Sequence, residues 1–244
     1  NEFTQDIISK TYNNIENTLS YWTQERMLNA KPLLTPLKFN KTINSDEKNM
    51  VNTITSEDEN DKPFAVGILY FTQNSSDWQC TASFCPGYDN GKESRYGCVG
   101  VVKTKVPNDY IANFNSDYGT LKFDFHGQGR LQDHSGCLGW GIIPKYPVEI
   151  VTFGDPGDGD MNCAKNSFTF CSWRGNAQAD ENSDIVTVPL DLGHGSSGGP
   201  WLIKNSPPSN IGYLIGITSG GPSDDSTTFS DALDFDLIRQ LISW

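Results

Sequence analysis

The feature that most constrains this chain is a succession of short apolar runs, beginning at Pro63, that are separated by Gly, Pro, Asn and Asp residues. Short runs bounded by turn-forming residues indicate β-strands. No amphipathic helical pattern lies between them, so an antiparallel barrel or sandwich is favoured over a parallel βαβ sheet. The runs are Phe64–Phe71, Gly97–Lys103, Tyr118–Phe125, Val148–Phe153, Ile185–Leu190, Trp201–Ile203 and Ile211–Thr218. Helical period returns only at Asp234–Trp244, with acids in the first turn, which predicts a C-terminal helix.

The composition excludes several function classes. Twenty-three Gly, 13 Pro and 20% charged residues are typical of a globular, turn-rich chain. The formal net charge is −12, and Lys and Arg never cluster, so neither a nucleic-acid surface nor a polybasic membrane patch is expected. No apolar run is long enough to cross a bilayer, and the sequence begins at Asn1 without a charged-then-apolar leader. We expect a processed, secreted chain.

The first 60 residues differ in composition from the rest, being rich in Asn, Lys, Glu and Thr and lacking cysteine. We therefore divide the chain into a propeptide-like N-terminal extension, residues 1–60, and a β body, residues 61–244. Helical spacing of apolar residues predicts an amphipathic helix over about residues 5–20. This helix would either dock on the β body or act as a regulatory propeptide. The residues with this spacing are Ile7, Ile8, Tyr12, Ile15 and Leu19.

Six cysteines form an even set without a CxxC zinc motif, which favours disulfides over a metal site. They are Cys80, Cys85, Cys98, Cys137, Cys163 and Cys171. Only the short Cys163–Cys171 separation predicts a particular pair. Asn40 and Asn74 begin N-glycosylation acceptor patterns, in agreement with a secretory route. No cofactor or metal is expected.

The motif that carries chemistry is Gly195-Ser196-Ser197-Gly198-Gly199-Pro200-Trp201. Its glycines permit backbone geometry that other residues avoid, so Ser197 would stand on a tight turn that a substrate can approach. The amides of Gly195 and Ser197 would be the donors to a developing oxyanion.

This motif resembles the nucleophile loop of trypsin/chymotrypsin-like serine peptidases, and other strings resemble a secreted bacterial and fungal branch of that family. These strings are Tyr21–Met27 (YWTQERM), Val66–Phe71 (VGILYF), Phe84–Gly91 (FCPGYDNG) and Trp140-Gly141. The resemblance implies two six-stranded antiparallel β-barrels, with a polypeptide substrate or protein ligand bound in the cleft between them, and Ser197 as nucleophile. The apolar members Tyr21, Trp22 and Met27 are expected to pack on the body.

The resemblance also implies an orienting aspartate just before a barrel strand. Asp117, in Asn115–Leu121, is the candidate and Asp109 is its rival. Asp191 precedes Ser197 by six residues, the spacing at which trypsins carry the acid that binds a basic side chain. The string Thr218-Ser219-Gly220 resembles the strand that pairs with substrate backbone.

The general base is where this chain departs from the family. A Thr-Ala-Ala/Gly-His-Cys string is expected after the first hairpin, because the serine hydroxyl needs a neighbouring base. Only Thr81–Cys85 (TASFC) is present. One alignment puts Phe84 in place of the histidine. A second, favoured because Phe84–Gly91 matches a later family string, ends the second strand at Ser83 and leaves out the histidine segment.

Three histidines remain, His126, His134 and His194, and none lies at the expected place. Removing one member of a triad leaves only residual catalysis, so the chain as written is predicted to be impaired. Three hypotheses follow. The chain is a serine endopeptidase whose histidine segment is missing from this sequence, a pseudoprotease that binds ligands or acts as a decoy, or a structural extracellular module.

Overall fold

The computed structural model describes residues 7–11, 20–31, 65–71, 82–108, 116–125, 127, 129–179, 184–206, 211–221 and 226–244. The chain divides into two compact units. The first comprises residues 1–30, 64–137 and 236–244, and the second comprises residues 31–63 and 138–235.

The first unit contains a five-stranded sheet in which every pairing is antiparallel. Strands β2, β3 and β4 lie side by side in chain order, and β4 also pairs with β1 and β5. The strands are β1 (Ile7–Thr11), β2 (Gly67–Phe71), β3 (Ala82–Pro86), β4 (Val99–Pro107) and β5 (Thr120–Asp124). Two short helices, α1 (Gln24–Leu28) and α2 (Gln132–Ser135), belong to this unit.

The C-terminal helix α3 (Phe235–Ile242) confirms the helix predicted from Asp234–Trp244. Its Leu237 and Leu241 are buried, as expected for residues one turn apart on an amphipathic helix. The Thr120 hydroxyl of β5 donates to the Leu241 carbonyl (3.0 Å), and the Lys105 ammonium of β4 lies 4.9 Å from the Trp244 ring. These contacts fix the end of the chain on the sheet of the first unit.

The second unit is a closed six-stranded barrel in the order β10-β11-β8-β7-β6-β9. Its strands are β6 (Val148–Gly154), β7 (Cys171–Ala179), β8 (Ile185–Val188), β9 (Pro200–Ser206), β10 (Ile211–Gly220) and β11 (Thr228–Asp231). Alternate residues of β7 and β8 point inward, as the two-residue period of a strand requires. Trp201 and Val188 are fully buried in the resulting core, together with Ile150, Met161 and Trp173.

The sequence predicted an all-β body, and the structure confirms it: each predicted run overlaps a strand. Three strands were not predicted, β1, β7 and β11. The strand β7 begins at Cys171 and contains several small and polar residues, so its apolar period is weak.

The amphipathic helix predicted over residues 5–20 is wrong where the structure describes that segment. Ile7–Thr11 is a strand that pairs with Lys103–Pro107 of β4. The sheet edge supplies partners for the backbone of this segment, and that long-range pairing overrides the local helical period. The other apolar residues of the pattern, Tyr12, Ile15 and Leu19, lie outside the described residues.

The prediction that Tyr21, Trp22 and Met27 pack on the body is partly correct. Met27 is 3% exposed and Trp22 is half-buried, whereas Tyr21 is 39% exposed. The Tyr21 ring instead packs edge-on against Trp22 and lies under the Arg26 guanidinium. An aromatic ring can be covered by neighbours on its own segment, so its burial against the sheet is not required.

The predicted Cys163–Cys171 disulfide is confirmed, with an S–S distance of 2.02 Å. A second disulfide, which the spacing did not single out, joins Cys85 of β3 to Cys98 just before β4. Cys137 is exposed and is not disulfide-bonded within the described residues, and Cys80 lies outside them. No helix in the described part of the chain is long and apolar enough to span a membrane.

Candidate active site

Ser197 lies on a tight turn between β8 and β9 of the second unit and is exposed. Gly195 and Gly198 have φ values of +100° and +81°, which side chains other than glycine avoid. The Gly199 amide donates to the Ser196 carbonyl (2.9 Å) and closes the turn around Ser197. The sequence therefore folds locally as its glycines predicted.

The turn is anchored to β10 by three hydrogen bonds to Thr218. The Gly198 amide donates to the Thr218 carbonyl (2.8 Å), and the Thr218 amide donates to the Gly199 carbonyl (2.9 Å). The Trp201 indole donates to the Thr218 hydroxyl (2.9 Å) in the barrel core. Rigid strands on either side thus hold the serine.

Ser196, the neighbour of Ser197, faces the interior of the second unit. It is 1% exposed, and its hydroxyl donates to the Leu192 carbonyl at 2.7 Å. This bond closes the loop of residues 191–199, here called the nucleophile loop, onto its own beginning. Leu192 is fixed in turn by a hydrogen bond from its amide to the Thr228 hydroxyl (2.9 Å).

The amides of Gly195 and Ser197 donate no hydrogen bond to any residue within the described ranges. Both backbone N–H groups are thus free of partners within the described residues, close in sequence to the exposed Ser197 hydroxyl. Within the described residues, no side chain is hydrogen-bonded to the Ser197 hydroxyl.

Asp191 begins the nucleophile loop and is half-buried. One of its carboxylate oxygens accepts from the Gly193 amide (2.8 Å), and its carbonyl accepts from the Asp160 amide (2.8 Å). Thr218 and Ser219 are buried on β10, and Gly220 pairs with Phe229 of β11. The structure thus brings the residues assigned to specificity into the unit that carries Ser197.

Asp117 belongs to the first unit, three residues before β5 begins at Thr120. It is half-buried and lies between the buried residues Ser116 and Tyr118. The Tyr118 amide donates to the Ser116 carbonyl (2.8 Å), so Asp117 stands at the apex of a short turn. Its rival Asp109 lies outside the described residues, as do Asn40 and Asn74.

Phe84 and Ser83 lie inside β3, which runs from Ala82 to Pro86. The expectation that the strand ends at Ser83 is therefore wrong, because β3 continues through Phe84, which pairs with Leu69 of β2. The Phe84 ring stacks on Phe123 with centroids 5.1 Å apart. Phe84 is therefore a packing residue of the first unit's sheet.

The described histidines occupy two different places. His134 is exposed on α2 of the first unit, with its ring 4.8 Å from that of Phe125. His194 lies in the nucleophile loop of the second unit, and His126 lies outside the described residues. The His194 Nδ1 is 2.7 Å from one carboxylate oxygen of Asp158, and its backbone amide donates to the other (2.6 Å).

Asp158 was missed by the sequence reasoning. Its only signal was the Asp- and Gly-rich string Gly154–Asp160, which is equally typical of an ordinary turn. Asp158 and Asp160 of this segment and Asp191 of the nucleophile loop form an acidic environment around Lys165. Burial lowers the pKa of nearby Lys165, while Asp160, Asp191 and Asp158 act in the opposite direction.

Another titratable group of the second unit, Tyr146, packs against the barrel core, and its burial raises its pKa to about 12.

The chain is similar in fold to several solved structures. The thermostable serine protease AL20 from an extremophilic microorganism is 19% identical, with a TM-score of 0.60, 75% of this chain covered and 96% of that one. Protease Anisep from Arthrobacter nicotinovorans is 24% identical, with a TM-score of 0.54 and coverage of 66% and 72%. A mutant of human heparin binding protein is 12% identical, with a TM-score of 0.55 and coverage of 79% and 96%.

No family model matches the sequence, and no curated protein matches it. The fold is nevertheless defined: a closed six-stranded antiparallel barrel and a second antiparallel sheet, shared with solved serine proteases over most of their length. The chain has the fold of the trypsin/chymotrypsin-like serine proteases. Of the two six-stranded barrels predicted, the second unit forms one, whereas the described residues of the first unit form a five-stranded antiparallel sheet.

Proposed function

We propose that this chain is a secreted trypsin-like serine endopeptidase homologue that is catalytically impaired because it lacks the general-base histidine. The observation that carries the proposal is the exposed Ser197 on its glycine turn, with the Gly195 and Ser197 amides left without partners among the described residues. Without a base, the serine hydroxyl stays protonated near neutral pH. Oxyanion donors alone then stabilise a charge that seldom forms, so only residual activity is expected.

The ligand is a polypeptide. Two similar folds belong to proteins named as proteases, and Thr218-Ser219-Gly220 lies on a strand beside the nucleophile turn, where it would pair with substrate backbone. Asp191 would favour a basic side chain on that ligand. Asp117 would be the orienting acid of the lost triad. Two disulfides and the acceptor patterns at Asn40 and Asn74 support an extracellular location.

A second candidate is a binding or decoy protein that has kept the fold without the chemistry. The fold neighbour named as a heparin binding protein favours it, since that name describes binding. The remaining alternative is an active enzyme. Sequencing the transcript around Ser83 and Phe84 would distinguish an active enzyme from an impaired one. An in-frame Thr-Ala-x-His-Cys segment there would restore the base.

The test is labelling of the purified chain with a fluorophosphonate probe, alongside casein hydrolysis, with and without added imidazole as a soluble base. We expect neither labelling nor hydrolysis without imidazole, and slow labelling with it that Ser197→Ala abolishes. Ser243→Ala, which also removes an exposed serine hydroxyl, is the matched control and should behave as the parent chain.

Stoichiometric labelling without imidazole that disappears in Ser197→Ala would contradict the proposed impairment. A further loss in His194→Ala would then identify a surrogate base. Absence of labelling even with imidazole would contradict Ser197 as a usable nucleophile and would favour the binding protein.

A further inference from the structure

His194 is held at three points by two consecutive residues of the loop that follows β6. Its carbonyl accepts from the Gly157 amide (2.7 Å), and its amide donates to one carboxylate oxygen of Asp158 (2.6 Å). Its imidazole Nδ1 is 2.7 Å from the other oxygen of Asp158. Backbone and side chain of His194 are thus fixed by the same short segment.

These contacts set the direction of the next peptide group. The His194–Gly195 peptide bond is not among the cis bonds of the chain, so its carbonyl oxygen and the Gly195 N–H point in opposite directions. Because the carbonyl is bonded to Gly157, the Gly195 N–H is directed away from that loop. It makes no hydrogen bond to a described residue, which leaves it available to a ligand.

The Asp158–His194 pair is too exposed to matter mainly for stability. The two side chains are 54% and 43% exposed, and ion pairs at such exposed positions contribute little to stability. What the carboxylate does supply is geometry, since its two oxygens bind the backbone and the ring of one residue. A carboxylate on Nδ1 also selects the tautomer in which Nδ1 carries the proton.

We propose that Asp158 is a positioning residue, which holds His194 at its amide and its Nδ1 so that the Gly195 N–H is directed at the oxyanion of a bound ligand. The inference rests on the proposed function, which assigns the Gly195 and Ser197 amides to that oxyanion. The ligand class is a tetrahedral anionic adduct on the Ser197 oxygen.

Phenylboronic acid is a suitable probe of this class. The Ser197 Oγ adds to trigonal boron: an O–B bond forms, the O–H bond breaks, the proton goes to buffer, and the boron becomes a tetrahedral anion. One of the boron-bound oxygens takes the place of the oxyanion. Its affinity is measured by boron NMR and calorimetry on the full chain.

The variants are Asp158→Ala, Asp158→Asn and the matched control Asp160→Ala. Asp160 lies two residues after Asp158, and its contact to the nucleophile loop uses its backbone amide, so loss of its side chain leaves that bond in place. Asp158→Ala should weaken phenylboronate binding at least about tenfold. Asp158→Asn keeps an acceptor for the His194 amide, so its affinity for phenylboronate should lie between those of Asp158→Ala and the parent chain. The affinity of Asp160→Ala should match that of the parent chain.

Nitrogen NMR of histidine- and glycine-labelled protein supplies a readout independent of ligand binding. In the parent chain, His194 should carry its proton on Nδ1. In Asp158→Ala, it should revert to the common Nε2–H tautomer and the Gly195 amide resonance should shift. If both resonances stay where they are in the parent chain, the positioning role is wrong.

The measurements separate the positioning role of Asp158 from the oxyanion site. Equal phenylboronate affinity for the parent chain and Asp158→Ala overturns the positioning role and leaves the proposed function standing. If no variant binds phenylboronate but the His194 and Gly195 resonances shift as expected, the positioning of the peptide is supported and the oxyanion site is overturned. Urea unfolding of each variant confirms that it is folded when compared.

Discussion

The Trp201 indole N–H donates to the Thr218 hydroxyl at 2.9 Å, in the barrel core immediately behind the nucleophile turn. Trp201 has no exposed surface and Thr218 is 5% exposed, so the indole has no access to water as an alternative partner. The bond joins the strand that follows Ser197 to the strand proposed to bind substrate.

Removing that hydroxyl should therefore destabilise the second unit. Thr218→Val preserves the shape of the side chain but leaves the indole N–H unsatisfied, which costs about 1–3 kcal/mol. Urea unfolding followed by tryptophan fluorescence measures the loss. Thr187→Val on β8 is the matched control, because Thr187 is half-buried and should lose less than about 0.5 kcal/mol. Equal losses in the two variants would contradict the role of the indole bond.

Two adjacent glycines of the motif should respond differently to alanine. A Cβ on Gly199 would lie 2.1 Å from the Phe153 carbonyl oxygen, which belongs to β6 and has little freedom to move. A Cβ on Gly198 would meet nothing within 4 Å, so its cost comes from the φ of +81° alone. We expect about 1–2 kcal/mol for Gly198→Ala and clearly more, or failure to fold, for Gly199→Ala. Thermal unfolding of both variants gives the comparison, and a reversed order would show that the turn is built differently.

The Cys163–Cys171 disulfide encloses a loop with a sequence separation of 8. Loop-closure entropy for that length corresponds to about 2.5 kcal/mol, and we expect the Cys163→Ser/Cys171→Ser double variant to lose about that amount. Peptide mapping offers a direct check. Lys165 lies between the two cysteines, so digestion after Lys165 under non-reducing conditions should leave the fragments joined. Separate fragments before reduction would contradict the pairing.

Alkaline pH should destabilise the chain partly through Tyr146. Burial raises its pKa from 10.0 to about 12, because the phenolate is less well solvated in the folded state. Between these values the unfolded chain loses the phenolic proton while the folded chain keeps it, so stability falls as the pH rises. Well below pH 10 the Tyr146 phenol is protonated in both the folded and the unfolded chain, so it makes no pH-dependent contribution to stability. Since the side chain is half-buried, we expect at most about 1 kcal/mol.

Unfolding of the parent chain and of Tyr146→Phe from about pH 9 to about pH 11.5 measures this contribution. The variant should lose less stability over that interval than the parent chain. Tyr213→Phe, which removes an exposed phenol of the same unit, is the control. Parallel pH profiles for Tyr146→Phe and the parent chain would show that the Tyr146 phenol titrates alike in both states.

Local chemistry in the sequence predicted the strands whose apolar period is strong, the terminal helix and the turn that presents Ser197. It also predicted the Cys163–Cys171 pair, because a short loop brings its ends together without help from the rest of the fold. The trypsin-like fold followed from the resemblance of several strings, and the comparison with solved structures supports it.

The tertiary structure decided what depends on partners distant in the sequence. Ile7–Thr11 has helical spacing but forms a strand, because it pairs antiparallel with β4 at five positions. Asp158 is an unremarkable turn residue in the sequence and is identified only by its two contacts to His194, 36 positions away. A sequence encodes local propensity position by position, whereas a partner across the fold is fixed only when packing brings the two segments together.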